Sequence, residues 1–334
     1  MRYLVLGGTR FIGLHTVKKL VELGHEVTVF HRGDTESEGL PDVRHIHGDR
    51  ADFSEHKPEF EKLEINAVID MMPLTKADAD SVVAMMQGVA PWIIGISSQD
   101  VYAQYGIFNG TEPGEVDNTP VAEAAPLRTV MYPHRDRFPD DPRYRDYDKI
   151  PVEQTYLSRF DMYGTVLRLP FVYGPHDYQH RMWPYLKRML DDRPAILLSR
   201  TQAEWRWTRG YVENIADAIA LAGTRKKAIG KIFNLGAPNA LTEKEWVETI
   251  GRAVGWAGEV RVVEDDALPQ HLRIEGNFEQ SIVTDTGRIR TELGYEETVG
   301  LEDAIERTVA WERDNPDERL GNEAFDYAAE DAAL

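Results

Sequence analysis

The chain of 334 residues contains no cysteine. Disulfides, thiolate metal centres and cysteine nucleophiles are therefore excluded. Long apolar runs are also missing, and none approaches the roughly 18 residues of a membrane-spanning helix. The first residues enter a strand at once, so neither a signal peptide nor a membrane span is expected and the expected location is the cytoplasm. Positive charge is scarce: 38 Lys and Arg stand against 57 Asp and Glu, a net charge of −19. A general nucleic-acid binder wants a basic face, so this balance speaks against one and in favour of solubility. No internal repeat or low-complexity tract is present. Residues 316–334 are acidic and poor in large apolar groups, which predicts a loosely held tail.

What is present begins at the N-terminus. The apolar run Tyr3-Leu4-Val5-Leu6 leads into Gly7-Gly8-Thr9-Arg10-Phe11-Ile12-Gly13, and an amphipathic helix follows with Ile12, Val17, Leu20, Val21 and Leu23 on one side and Gly24 just past its end. Strand, glycine turn and helix lay a pyrophosphate against a helix N-terminus, where free N–H groups and the helix dipole favour an anion. Gly7 suits the tight turn, Gly8 the approach of backbone to phosphate, and Gly13 close packing of helix on strand. Arg10 stands where a middle glycine is usual. The plain alternative is a tight structural turn.

Further strands are expected at 25–33, 43–47, 67–70, 92–97 and 164–169, with helices near 55–64, 76–89 and 149–160 between them. Strands alternating with helices predict an α/β fold, a doubly wound parallel sheet of Rossmann type. Ligands in such sheets bind beyond the carboxyl ends of the strands. Residues 103–146 show no sustained periodicity and read as a long insert. The dinucleotide domain is expected over 1–170 and again at about 205–236. A smaller mixed α/β C-terminal substrate domain is expected from 171–204 and 237–315, followed by the tail.

The end of the second strand reads His31-Arg32, with no acid to bond a ribose 2′-hydroxyl. Arg32, with Arg10 as a second arm, suits the 2′-phosphate of NADP, with NAD the alternative cofactor. Asp49 could bond an adenine amino group or merely cap a turn. Asp70, at the end of the fourth strand, could contact the cofactor, act as a base or close a loop. The fifth strand ends in Ser97-Ser98-Gln99-Asp100-Val101-Tyr102, which places hydroxyls on the crevice. Lys149, early in a helix facing that crevice, could hold a ribose and lower the pKa of a nearby phenol.

Taken in order, these features resemble the extended short-chain dehydrogenase/reductases, the NAD(P)-dependent sugar epimerase/dehydratase family, from Met1 to about Asn315. The resemblance rests on the turn Gly7–Gly13, on Ser98 with Val101-Tyr102, on Lys149 with Glu153, and on Arg168-Leu169-Pro170-Phe171-Val172-Tyr173-Gly174-Pro175. Tyr211-Val212-Glu213-Asn214, Phe233-Asn234-Leu235-Gly236 and Leu293-Gly294-Tyr295 extend it. It implies a tyrosine and a lysine that move a proton at a substrate hydroxyl, a serine bonded to the same oxygen, and a nicotinamide that takes or gives hydride. Ser98 and Lys149 match the serine and the lysine. The family spacing puts the tyrosine at Arg145, so Tyr147 is the first candidate, the absence of an equivalent the second, and Tyr144 the third.

The resemblance also implies a sugar or nucleotide-sugar substrate, with Arg206 on its pyrophosphate, Trp205 or Trp207 stacked on a ring, and His176 near it. Arg273 is the candidate for a second pyrophosphate arginine, and the insert 103–146 would help close the pocket. His176 and His180 share metal-ligand spacing, but no nearby acid completes a set and no metal is expected. A homodimer through the helices flanking the serine strand would use Met85, Met86 and the apolar side of 149–160. The expected activity is that of an NAD(P)-dependent epimerase, dehydratase or reductase. The glycine turn also resembles the chloroplast stem-loop RNA-binding proteins, which supply the alternative of a catalytically altered cofactor-binding or RNA-associated protein.

Overall fold

A computed structural model describes residues 1–35, 39–159 and 161–334. The chain opens with β1 (Arg2–Leu6), α1 (Phe11–Glu22), β2 (Glu26–His31) and β3 (Arg44–His47). A 3-10 turn over Arg50–His56 precedes α2 (Lys57–Glu61), β4 (Ala67–Asp70), α3 (Lys76–Met86) and β5 (Trp92–Ser98). After the insert come α6 (Lys149–Leu157) and β6 (Tyr163–Leu169), the insert itself carrying the short helices α4 (Ala103–Phe108) and α5 (Pro142–Arg145). The expected helix over 149–160 closes at Leu157, and Phe160 lies outside the described residues.

The main sheet has seven strands in the order β10-β6-β5-β4-β1-β2-β3, where β10 spans Lys231–Asn234, and the strand pairs are parallel. This is the doubly wound Rossmann architecture. The order reverses between β1 and β4, which opens a crevice beyond their carboxyl ends. The strands read as nearly continuous apolar runs because both faces are covered. Val5, Val17, Val29, Ile69, Ile94 and Ile219 pack on one face, and Leu4, Leu6, Phe60, Val68, Val82 and Tyr156 on the other.

The second half supplies β7 (Phe171–Tyr173), α7 (Trp183–Leu190), β8 (Ala195–Ser199), α8 (Arg200–Glu204), β9 (Arg209–Tyr211) and α9 (Val212–Thr224). After β10 follow α10 (Glu243–Val254), β11 (Glu259–Val263), α11 (Gly287–Leu293), α12 (Leu301–Asp314) and α13 (Tyr327–Ala332). α9 packs on α1 and β10 joins the main sheet, while β8 pairs with β11 and β7 with β9 in two small sheets. α10 shows how local sequence sets an element: Thr242 and Glu245 form a capping box, and Gly255 ends the helix in the left-handed region.

Two stretches differ from their sequence reading. The terminal segment is docked rather than loose. Glu330 on α13 is 2% exposed and accepts from Arg188 Nη2 at 2.6 Å, and His271 Nε2 lies 2.9 Å from the same carboxylate. Charge made the segment look like a tail, and the buried Arg188 across the fold is what holds it. The insert is pinned as well: Arg128 forms a buried ion pair with Asp148 at 3.2 Å, and Val121 bridges to Thr284. Among the described residues, no helix is long and apolar enough to cross a membrane.

Candidate functional site

The glycine turn lies between β1 and α1. Gly7 has φ +85°, and a Cβ on Gly13 would sit 2.6 Å from the Gly7 carbonyl oxygen. Helix and turn can be this close only without that side chain. A Cβ on Gly8 would meet Val17 at 2.8 Å and Val5 at 3.0 Å, so Gly8 is fixed by packing beneath the turn. No side chain caps α1, which leaves its first N–H groups without a side-chain acceptor and suits them to an anion. Thr9 and Phe11 are buried and Ile12 is half-buried. Arg10 lies outside, its guanidinium 4.7 Å over the Tyr178 ring.

His31 is buried at the end of β2, while Arg32 is exposed and pairs with Asp34 at 3.2 Å. Asp49 accepts from the Ala51 N–H at 2.9 Å and so caps the 3-10 turn. Asp70 is fully buried. Arg50 donates to it through both terminal nitrogens, Nη1 at 3.2 Å, and the Tyr156 hydroxyl donates at 2.6 Å. That carboxylate is occupied as an anchor between β4, the 3-10 turn and α6.

The densest chemistry lies where β5 meets the start of α6. Ser98 Oγ accepts from the Asp100 N–H at 3.2 Å. Asp148 caps α6 by accepting from the Ile150 N–H at 3.0 Å, and it also holds the Tyr132 N–H at 2.7 Å. Arg128 ties the insert down by donating to the Asp100 carbonyl and to Asp148. This fixes Tyr147, one residue before the cap, so that its hydroxyl donates to Asp100 Oδ2 at 2.5 Å. The other carboxylate oxygen, Oδ1, is buried with no hydrogen-bond partner among the described residues. Burial and then the Asp100 charge push the Tyr147 phenol well above its usual range, so it holds its proton.

Lys149 Nζ lies 5.7 Å from the centre of the Tyr147 ring and donates to the carbonyls of Pro73 at 2.8 Å and Ile96 at 3.1 Å. Burial lowers its pKa to about 8, against the opposing charges of Asp100 and Asp70. Ser98, Tyr147 and Lys149 thus converge at one strand end, with Asp100 among them. Tyr144 is 44% exposed, and its ring packs near Phe138.

The second half treats its candidates differently. Trp205 is buried, its indole N–H donates to the Gln280 carbonyl at 2.8 Å, and its ring stacks on Phe108. Arg206 donates to the Ala240 carbonyl at 2.7 Å and lies 3.6 Å from Glu245. Arg273 donates to the carbonyls of Leu268 and Asp266 and so is tied to its own loop. His176 packs between His15 and Trp311, and His180 pairs with Glu312 at 2.7 Å. Tyr102 turns inward to Asn234 and Arg168, part of a buried network with Glu153 and Ser97. Met85 and Met86 are core residues.

Sequence reading left four residues unassigned. Asp100 was visible two residues past Ser98 as an acid at a crevice-facing strand end. Arg50 had no local signal, because its partner Asp70 lies twenty residues on, at the end of β4. His45 and His47, in alternation on β3, come together with His31.

Three comparisons place this geometry among known proteins. The pattern of the NAD dependent epimerase/dehydratase family matches residues 3–85 and 147–236. "Chloroplast stem-loop binding protein of 41 kDa b, chloroplastic" from Arabidopsis thaliana is 24% identical over 274 residues, 76% of this chain and 64% of that protein. A dTDP-glucose 4,6-dehydratase from Streptomyces niveus is 30% identical over 161 residues, 45% of this chain and 44% of that protein. The chain therefore spans less than two thirds of the length of these two relatives. Among solved structures, UDP-glucose-4-epimerase from Stenotrophomonas maltophila, with bound NAD and formylated UDP-arabinopyranose, aligns with a TM-score of 0.72 at 19% identity, covering 94% of this chain and 98% of that one. That likeness is one of fold.

Proposed function

The chain belongs to the NAD dependent epimerase/dehydratase family, and from that premise we propose that it is a cytoplasmic enzyme that uses a nicotinamide dinucleotide to epimerise, dehydrate or reduce a nucleotide sugar. The observation that carries the reading is the contact of the Tyr147 hydroxyl with Asp100 beside Lys149 and Ser98, at the strand end facing the crevice. The uncapped N-terminus of α1 and the Gly7–Gly13 approach fit a pyrophosphate. A bound nicotinamide supplies a hydride acceptor or donor. As a substrate hydroxyl is oxidised, its proton passes to the Tyr147 oxygen while the Tyr147 proton passes to Asp100 along the hydrogen bond they share, and both transfers reverse as a carbonyl is reduced. Lys149 orders the ribose side of the site and places a positive charge beside the phenol ring. Ser98 orients the same substrate oxygen.

NADP preference rests on Arg32 and Arg10, with Asp34 moving off Arg32 to admit a 2′-phosphate. A homodimer would use the outer faces of α3 and α6, around Ala84, Gln154 and Thr155, since Met85 and Met86 are buried. An RNA-associated role, as in the name of the Arabidopsis relative, finds little support at a net charge of −19, because phosphate neutralisation needs Lys and Arg. The test is a fluorescence titration with NADPH and NADH, followed by assay with UDP- and dTDP-glucose. Binding of a dinucleotide with conversion of a nucleotide sugar is the expected result. NADPH bound tenfold more tightly, a difference of ~1.4 kcal/mol, supports the arginine clamp, and equal or tighter NADH refutes it. Failure to bind either dinucleotide refutes the enzyme reading.

A further inference from the structure

We propose that His31, His45 and His47 bind one divalent ion of the zinc, cobalt and nickel class at the carboxyl end of β2. The placement follows from the sheet. β2 and β3 pair in parallel with His31 opposite His47, and His45 lies two residues earlier on the same face of β3. Three of the chain's ten histidines therefore meet on two short strands. One nitrogen from each ring lies within 4.8 Å of the others, and the ring centres are 4.7, 5.0 and 6.1 Å apart. Metal–imidazole bonds of about 2.0–2.1 Å in tetrahedral geometry hold two nitrogens about 3.4 Å apart, a contraction that side-chain rotation supplies. Imidazole is a borderline donor that suits zinc, cobalt and nickel rather than magnesium or calcium. Burial falls from His31 through His45 to the exposed His47, so an ion would enter from the His47 side.

The hydrogen bonds around His31 add a consequence. The Gly33 N–H donates to His31 Nδ1 at 3.2 Å, and His31 Nε2 lies 2.8 Å from His45 Nδ1. A neutral imidazole has one donor and one acceptor nitrogen, so Nε2 carries the proton and donates to His45. An ion on either nitrogen of His31 ends the Gly33 contact. On Nδ1 it takes the lone pair, and on Nε2 it sends the proton to Nδ1, where it faces the Gly33 N–H. Gly33 follows Arg32, so the ion and a dinucleotide read by Arg32 would act on one loop, and their affinities would be linked in both directions. Ion binding itself needs no hydride chemistry and stands apart from the proposed function.

The experiment titrates the tag-free full chain with Co²⁺ and then Zn²⁺. One equivalent of Co²⁺ is expected to bind with the visible absorption of a low-coordinate nitrogen site, and Zn²⁺ is expected to displace it. His45→Gln and His47→Gln, both off the buried core, should each weaken binding by at least about tenfold, while His25→Gln, at the far end of β2, should not. If dinucleotides bind, Zn²⁺ should change their affinity in the native chain and not in the variants; equal affinity overturns the Gly33 link. Two results overturn the site itself: no saturable Co²⁺ or Zn²⁺ binding up to about millimolar, or unchanged binding in the folded His45→Gln/His47→Gln double variant.

Discussion

Replacing Tyr147 by phenylalanine removes one oxygen from a buried, charge-assisted contact. The Tyr147 hydroxyl donates to Asp100 Oδ2 at 2.5 Å, and Asp100 Oδ1 already lacks a partner among the described residues. The variant therefore leaves the carboxylate, only 5% exposed, without its side-chain donor. Hydrogen bonds to charged groups contribute about 1.5–3 kcal/mol, so Tyr147→Phe should destabilise the fold by that amount. Asp100→Asn keeps the shape and removes the charge. In a double-mutant cycle, the two substitutions should couple by about 1–3 kcal/mol in urea unfolding, because they remove the same contact. On the proposed function, Tyr147→Phe also lowers turnover by about a hundredfold or more, the usual size of a general acid–base contribution. Dinucleotide affinity, set at the glycine turn, should stay within about threefold of the native value, roughly 0.6 kcal/mol. Additive effects on stability would refute the pairing. Full turnover in the folded Tyr147→Phe variant would refute the proton-transfer role even where the pairing holds.

Two further outcomes follow from the same region. Gly13→Ala puts a Cβ 2.6 Å from the Gly7 carbonyl oxygen and 2.9 Å from Gly8 Cα, both backbone atoms that cannot swing away. We expect a loss of about 1–3 kcal/mol in urea unfolding with a marked fall in dinucleotide affinity, and a variant of native stability would show that the turn yields. Lys149 predicts a pH dependence. Burial lowers its pKa from 10.5 to about 8. Between those values the unfolded chain holds a proton that the folded chain has lost, so this group's contribution to stability rises with pH. The cost of burying its charge is fully present below pH 8, and roughly 2 kcal/mol of it is relieved between pH 7 and about 9.5. Relative to Lys149→Met, native protein should therefore gain about that much over the interval, and parallel urea curves at the two pH values would contradict the assignment.

The sheet was legible because its signals are local. β1, β2, β4, β5 and β6 are short apolar runs set between amphipathic helices, and the main errors are one or two residues at element ends. The misreadings lie where long-range contacts decide. Ala103–Phe108 is too short to show a period, and it is held where Phe108 stacks on Trp205. The terminal segment is acidic along its length, yet Glu330 reaches a buried arginine more than a hundred residues away. A charge pattern reports how a segment meets water and carries no record of a distant partner.

The site divides along the same line. Gly7, Gly13, Ser98 and Lys149 could be singled out because each is tied to a turn, a strand end or a helix start that the chain itself defines. Tyr147 was harder, since the residue four places before Lys149 is Arg145 and spacing along a helix gives no tyrosine there. The structure brings Tyr147 to Asp100 by another route: α6 begins only at Lys149, Asp148 caps it, and Arg128 from the insert binds both Asp148 and the Asp100 backbone. A residue that precedes the helix reaches the strand end from a different direction than a residue inside it. The phenol can therefore occupy the crevice without the usual spacing, and the acid it meets is the one that follows Ser98. That geometry makes Arg128 a positioning residue. Its loss would release the insert, the helix cap and the Asp100 backbone together, so its substitution should disturb the Tyr147–Asp100 contact although Arg128 touches neither the phenol nor the Asp100 carboxylate.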